Sequence, residues 1–132
     1  KYTIDYSSYK ARLITAQEIA KITGNTTWNE KTANYIYYLD SKTTSASTTC
    51  KQEDISGCNY GWLYDRTRIN CTAYGCLNNS DVSTMGYWTA SSHAGGSSYA
   101  FYVRYDAVVY NDYVVSGHGV RPVITILKSQ LG

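Results

Sequence analysis

Residues 86–127 read GYWTASSHAGGSSYAFYVRYDAVVYNDYVVSGHGVRPVITIL, and this stretch decides the fold class. Its opening, Gly86-Tyr87-Trp88-Thr89-Ala90, is built of residues that suit a pleated, half-buried surface and reads as a strand. Residues 91–97 are small and polar and read as a loop. Two β-rich runs follow, 98–105 and 108–115, separated only by Asp106-Ala107, which is hairpin spacing. A side-chain period of two puts Phe101, Val103 and Tyr105 on one face of the first run, with Tyr102 and Arg104 on the other. Phe101, Val103 and Tyr105 are expected in the core, and Tyr102, Tyr110 and Tyr113 in solvent. A last strand is expected over 120–127. Pro122 falls near its start, where an edge or a bulge tolerates the missing N–H donor.

Outward from this region the pattern changes. Residues 1–14 read as extended, with Tyr2, Ile4 and Tyr6 alternating ahead of Leu13-Ile14. Thr15-Ala16-Gln17-Glu18 is a capping box, in which the Thr hydroxyl bonds the Glu18 amide and the Glu carboxylate reaches back. A helix is expected to follow through about Ile22, with Gly24 placed to end it. Between Asn25 and Leu39 the apolar residues Trp28, Tyr35, Ile36 and Leu39 fit either a second short helix or an extended stretch. Residues 41–49 are Ser/Thr-rich and read as an exposed loop. Gly61-Trp62-Leu63-Tyr64 is a short apolar run, followed by a polar loop through Val82. Early helices and a late meander of antiparallel strands make an α+β domain with long loops. No internal repeat or linker divides the 132 residues, a length that suits one domain.

Composition narrows the function. A net charge of +2 is too weak and scattered for a nucleic-acid or membrane-surface footprint. No apolar run approaches a membrane span, and no secretory signal precedes Lys1, so the chain reads as a mature or trimmed fragment. Tyr numbers 15 against a single Phe. Tyr offers a large rigid contact area and a hydroxyl, and with Ser, Gly and Asn it is the palette of binding loops. Four cysteines allow three pairings. Cys50 with Cys58 and Cys71 with Cys76 is the expected one, each pair bracketing turn-rich sequence. It implies an oxidising, extracytoplasmic setting. A zinc site of four thiolates would want a Cys-x-x-Cys knuckle, which is missing. Four unpaired thiols are the remaining alternative.

Three landmarks carry a resemblance. Ala11-Arg12-Leu13-Ile14-Thr15-Ala16-Gln17-Glu18-Ile19-Ala20 is similar to the opening motif of formylglycine-generating-enzyme-like domains. Gly86-Tyr87-Trp88-Thr89-Ala90-Ser91-Ser92 is similar to their Tyr-Trp-Thr-Ser-Ser strand, and Gly119-Val120-Arg121-Pro122-Val123-Ile124 to their terminal Gly-Phe-Arg-Pro strand. Order and separation also match, over nearly the whole chain. The resemblance implies the C-type lectin fold. By these motifs the nearest members are ligand-binding domains of bacterial surface and pilin-like proteins, including variable proteins diversified by retroelements. In those proteins the hypervariable positions lie between the last two motifs, which here is Ser91 to His118. The ligand-binding residues this implies are Ser92, His93, Tyr99, Tyr102, Arg104, Asp106, Val108, Tyr110, Asn111, Tyr113 and His118. The partner would be a protein or glycan, bound without a cofactor.

Other chemistries lack their groups. The oxidase members of the superfamily use a Cys pair close before the terminal strand, whereas Cys71 and Cys76 lie before Trp88, so that role is not carried over. A redox-active thiol also wants a cationic neighbour, and only Arg66 and Arg68 lie near. The signatures of calcium-dependent lectins are missing, and Asn78, Asn79 and Asp81 read as a solvated turn rather than a cation site. His93 and His118 are the only histidines and read as ordinary surface His, a metal pair being the alternative. Arg121 is expected to bond loop carbonyls beneath the binding face. Trp62 and Trp88 are expected as core anchors. The expected function is non-enzymatic ligand binding at a bacterial surface. A pilin-like filament subunit and a degenerate formylglycine-generating enzyme are the alternatives.

Overall fold

The computed structural model describes residues 7–32, 37–40, 57–64 and 86–131. Chain order is β1 (Arg12–Leu13), α1 (Ala16–Ile22), β2 (Tyr37–Tyr38), a 3-10 turn (Gly61–Leu63), β3 (Gly86–Ser92), β4 (Tyr99–Arg104), β5 (Val108–Tyr113), β6 (Pro122–Val123) and a closing 3-10 turn (Lys128–Leu131). The result is a mostly β, α+β arrangement with one α-helix among the described residues. A four-stranded antiparallel sheet has the order β2-β5-β4-β3, and β1 pairs separately with β6. Among the described residues no helix is long and apolar enough to cross a membrane.

The capping box forms as read. Thr15 Oγ1 accepts from the Glu18 amide at 3.0 Å, and the Glu18 carboxylate accepts from the Thr15 amide at 2.8 Å. The next free amides of the helix start are also satisfied: Ala16 N–H donates to Ser91 Oγ and Gln17 N–H to Glu30 Oε2. At the other end Gly24 has φ +75 and its amide reaches Lys21 O, while Asn25 N–H reaches Ala20 O. That is a Schellman stop, and it needs a residue that tolerates the left-handed region. Asn25 then bends the chain, its side-chain oxygen accepting from the amides of Thr27 and Trp28. Trp28 therefore drops into the core from a turn, neither from a second helix nor from a strand. Tyr35 and Ile36 lie outside the described residues, as do 1–6 of the expected first strand, the 41–49 loop, 65–85, and Cys50, Cys71 and Cys76. Cys58 is disulfide-bonded. Its partner lies outside the described residues, so the choice of pairing stays an expectation.

The β4–β5 hairpin pairs Tyr99 with Tyr113 through to Arg104 with Val108. The loop is Tyr105-Asp106-Ala107, one residue longer than the spacing suggested, with Ala107 at φ 65. A three-residue loop ending in a left-handed residue matches the twist of the strands. This corrects the placing of Tyr105: it leaves the strand at the turn and is half-buried rather than core. Phe101, Val103, Val109 and Tyr87 do point inward, with Ile19, Ala20, Trp28, Leu39, Leu63 and Tyr64. Trp28 meets Phe101 edge-on at 5.2 Å. Asp40 ties β2 to the 3-10 turn by accepting from the Asn59 and Tyr60 amides and the Tyr64 hydroxyl. Burial first, then Asp40, pushes that hydroxyl well above the usual tyrosine range.

The last strand is shorter than expected, because only Pro122 and Val123 pair with β1. The chain before it runs along the outer edge of β3 instead: Trp88 N–H donates to Gly119 O and Gly119 N–H to Gly86 O. Arg121 donates to the carbonyls of Trp62 and Leu63 and lies over the Tyr87 ring at 4.7 Å. Its expected carbonyl-bonding role is present. Trp62 is not a core anchor: its backbone serves Arg121 while its side chain is 56% exposed.

Candidate ligand-binding face

Strand register sorts the candidate side chains before any of their chemistry is considered. Trp88, Tyr102 and Tyr110 are directly paired across β3, β4 and β5, and so are Gly86, Arg104 and Val108. Cross-strand partners share a face. This face lies opposite the Phe101–Val103 core. Asp112 on β5 continues it two residues beyond Tyr110. The Gly119 contacts to β3 bring His118 onto the same face.

The rings form one cluster. His118 stacks on Tyr102 with centroids 4.1 Å apart and 12° between planes, and meets Trp88 edge-on at 4.6 Å. Trp88 and Tyr110 stand edge-on to Tyr102 at 6.0 and 6.3 Å. Such edge-on and stacked pairs hold ring orientation as well as burying area. His118 Nε2 faces Asp112 Oδ2 at 2.8 Å, so Nε2 carries the hydrogen when the ring is neutral. Nδ1 is then an acceptor; it is buried and without a hydrogen-bond partner. Burial raises the Asp112 carboxyl, but hydrogen bonds from His118, the Tyr113 amide and Ser116 outweigh it and hold it below the ordinary range. Arg104 forms two bonds to Asp106, at 2.8 and 2.6 Å, and lies over Tyr110 at 5.3 Å. The Asp106 contact raises its already high pKa further. Desolvation raises the Tyr102 phenol, opposed by Arg104.

The outer layer is therefore Trp88, Tyr110, Arg104, Asp106 and Asp112, all half-buried, over a floor of Tyr102, Val108 and His118. Four expectations are corrected here, the first being that His118 is an ordinary surface histidine: its side chain is 5% exposed. Tyr102 is 5% exposed because His118, Trp88 and Tyr110 pack around it, and Val108 is 1% exposed, so neither offers a free surface. Trp88, read as a core anchor, belongs to this outer cluster. Asp112 was not singled out from sequence; its place two residues after Tyr110 is the signal that finds it.

All but one of the remaining candidates fall elsewhere. His93, Tyr99, Asn111 and Tyr113 lie on the opposite side of the sheet: His93 packs on Phe101 at 5.1 Å and on Tyr99 at 6.0 Å. Its Nδ1 accepts from the Gly95 amide at 3.0 Å. Ser92, exposed at the end of β3, pairs with Ala100 and through it lines up with Asp112, so it stays on the candidate face at its far end. His93 and His118 sit on opposite faces, so the sheet does not bring them together as a metal pair. No cluster of three or more metal-ligating side chains occurs among the described residues. A separate open groove between α1 and β6 is lined by Ile14, Ile22 and Val123 and contains none of the candidates.

Comparison of the chain with protein-family models, curated proteins and solved structures finds no match. The chemistry of this face is that of contact: aromatic surface, two acidic acceptors and one guanidinium held in place by neighbours.

Proposed function

We propose that this chain is a non-enzymatic ligand-binding domain of C-type-lectin-like fold, displayed at a bacterial cell surface as an adhesin or receptor. Its ligand, a protein or a glycan, is taken by the outer face of β3–β5. The observation that carries the reading is the continuous cluster Trp88, Tyr102, Tyr110, His118, Arg104, Asp106 and Asp112 on one face of a sheet. Tyr, Trp and Arg held rigid by stacking and ion pairing are the side chains that dominate binding energy at interfaces. Pre-ordering them lowers the entropy cost of association.

The lectin-like reading draws on how the three motif stretches meet. The first forms β1 and α1, the second β3, and the third β6. β1 pairs with β6, Ala90 N–H donates to Ile14 O, and Ala16 N–H donates to Ser91 Oγ. Motifs far apart in the chain thus contact one another, as a shared fold requires. Retroelement diversification would act on the solvent layer of this face, at Arg104, Asp106 and Tyr110, while the floor is kept. A second reading, a pilin-like filament subunit, is favoured by Val114 and Val115, exposed at 54% and 90% beside exposed Tyr113. Contiguous exposed apolar surface suits packing against a neighbour.

The test is a screen of the domain against a glycan array and a displayed peptide library. The combined variant Arg104→Ala, Asp106→Ala, Tyr110→Ala is then assayed on whatever binds. Affinity is expected to fall at least tenfold with the circular dichroism spectrum unchanged. Undiminished binding by a folded variant would remove this face from the proposal.

A further inference from the structure

At the end of the sheet away from the hairpin loop, Tyr99 of β4 faces Tyr113 of β5 as a cross-strand pair. Their ring centroids are 4.5 Å apart, with 34° between planes. Tyr113 is 53% exposed and Tyr99 half-buried. The pair lies on the side of the sheet opposite the candidate face. Tyr102 and Tyr110, by contrast, stand at 6.3 Å and 68°, edge-on, with Tyr102 buried. An edge-on pair directs the ring edge of one at the face of the other. A pair closer to parallel brings the two ring faces together, so that carbons ortho to the two hydroxyls can meet on rotation about the side-chain bonds. The register of β4 and β5 holds this arrangement without any search by the side chains.

We propose that Tyr99 and Tyr113 are a site of oxidative dityrosine formation, with hydrogen peroxide and a haem peroxidase as the oxidising system. Each phenol gives up one electron and one proton and becomes a phenoxyl radical. The two radicals couple through their ortho carbons, forming one C–C bond. The hydrogens on those carbons then shift to oxygen, restoring both phenols. The protein loses two hydrogen atoms in all, and hydrogen peroxide accepts the two electrons and two protons to become two waters. The new bond closes the chain between residues 99 and 113 at the end of the hairpin that no turn secures. The strand spacing that carries Tyr102 and Tyr110 is thereby locked, which suits a domain exposed to an oxidising exterior.

The experiment treats the dilute protein with hydrogen peroxide and a haem peroxidase. Biphenol fluorescence is expected on a species that still migrates as a monomer in a denaturing gel. Trypsin should yield the 69–104 and 105–128 peptides joined, two hydrogens lighter than their sum, with fragmentation placing the bond at Tyr99 and Tyr113. The melting temperature should rise after treatment. Tyr113→Phe and Tyr99→Phe should each abolish the product, and Tyr105→Phe should keep it. A bond mapped to other tyrosines, links between molecules only, or a signal that survives Tyr113→Phe would each overturn the proposal.

Discussion

Gly86 shows how narrowly a single position can be constrained. A Cβ there would lie 1.8 Å from the Val103 carbonyl oxygen of the neighbouring strand β4. Gly86→Ala is therefore expected to cost about 1–3 kcal/mol as overpacking, seen as a lower urea midpoint. A midpoint unchanged within error would mean that the two strands part without penalty. Phe101, 1% exposed against Trp28, should cost about 3–5 kcal/mol on truncation to Ala. Arg104, three positions along the same strand, behaves differently. Its ion pair with Asp106 is 31% and 25% exposed, so Arg104→Ala should cost no more than about 1 kcal/mol. Equal losses at Phe101 and Arg104 would contradict the assignment of one to the core and the other to the binding face.

At the scale of elements, the seven-residue helix α1 is too short to persist alone and depends on its ends. Thr15→Ala removes the cap acceptor and should cost about 1 kcal/mol. Glu18 adds a pH signature. The Arg12 guanidinium, chiefly by hydrogen bonding, holds its carboxyl down at about 2 against burial, helped by Thr15. A carboxyl depressed in the folded state stabilises fully above its unfolded value near 4.5, and loses that contribution as pH falls through about 2. The stability curve of the wild type should thus decline between those limits, and Glu18→Gln should flatten that part of it. The pair is 42% and 40% exposed, so solvent screening keeps the effect small. An identical acid limb in the variant would show that the contact contributes nothing.

For the whole molecule, the crosslink at Cys58 is the feature most open to test. Mass spectrometry of unreduced peptides is expected to join Cys58 to Cys50 and Cys71 to Cys76. Replacing Cys58 with Ser should cost about 2–3 kcal/mol, the scale for closing a short loop. A 58–71 or 58–76 bridge would instead tie the 3-10 turn region to the segment before β3 and reverse the local pairing. The turn is already held at two other points, by Asp40 and by Arg121. A loss near zero would show that these contacts alone suffice.

What the sequence determined by itself was local. The Thr15–Glu18 cap, the stop at Gly24 and the alternation of Phe101 to Arg104 were legible because each depends on residues within a turn or two of one another. The long hairpin was legible for the same reason, although its loop was misjudged by one residue and Tyr105 with it. Only the tertiary structure decided which outward-facing residues meet solvent. Tyr102 alternates correctly to the outer face, yet His118, sixteen positions later, covers it with a stacked ring. Trp88 and Trp62 have the same side chain and different environments, one half-buried in the ring cluster and the other mostly exposed, because strand pairing directs one and a 3-10 turn the other. Asp112 gained its hydrogen-bond partner only because the path before β6 carries His118 back along β3. Burial of an outward side chain is set by what packs over it, and that partner is chosen by long-range chain return rather than by periodicity.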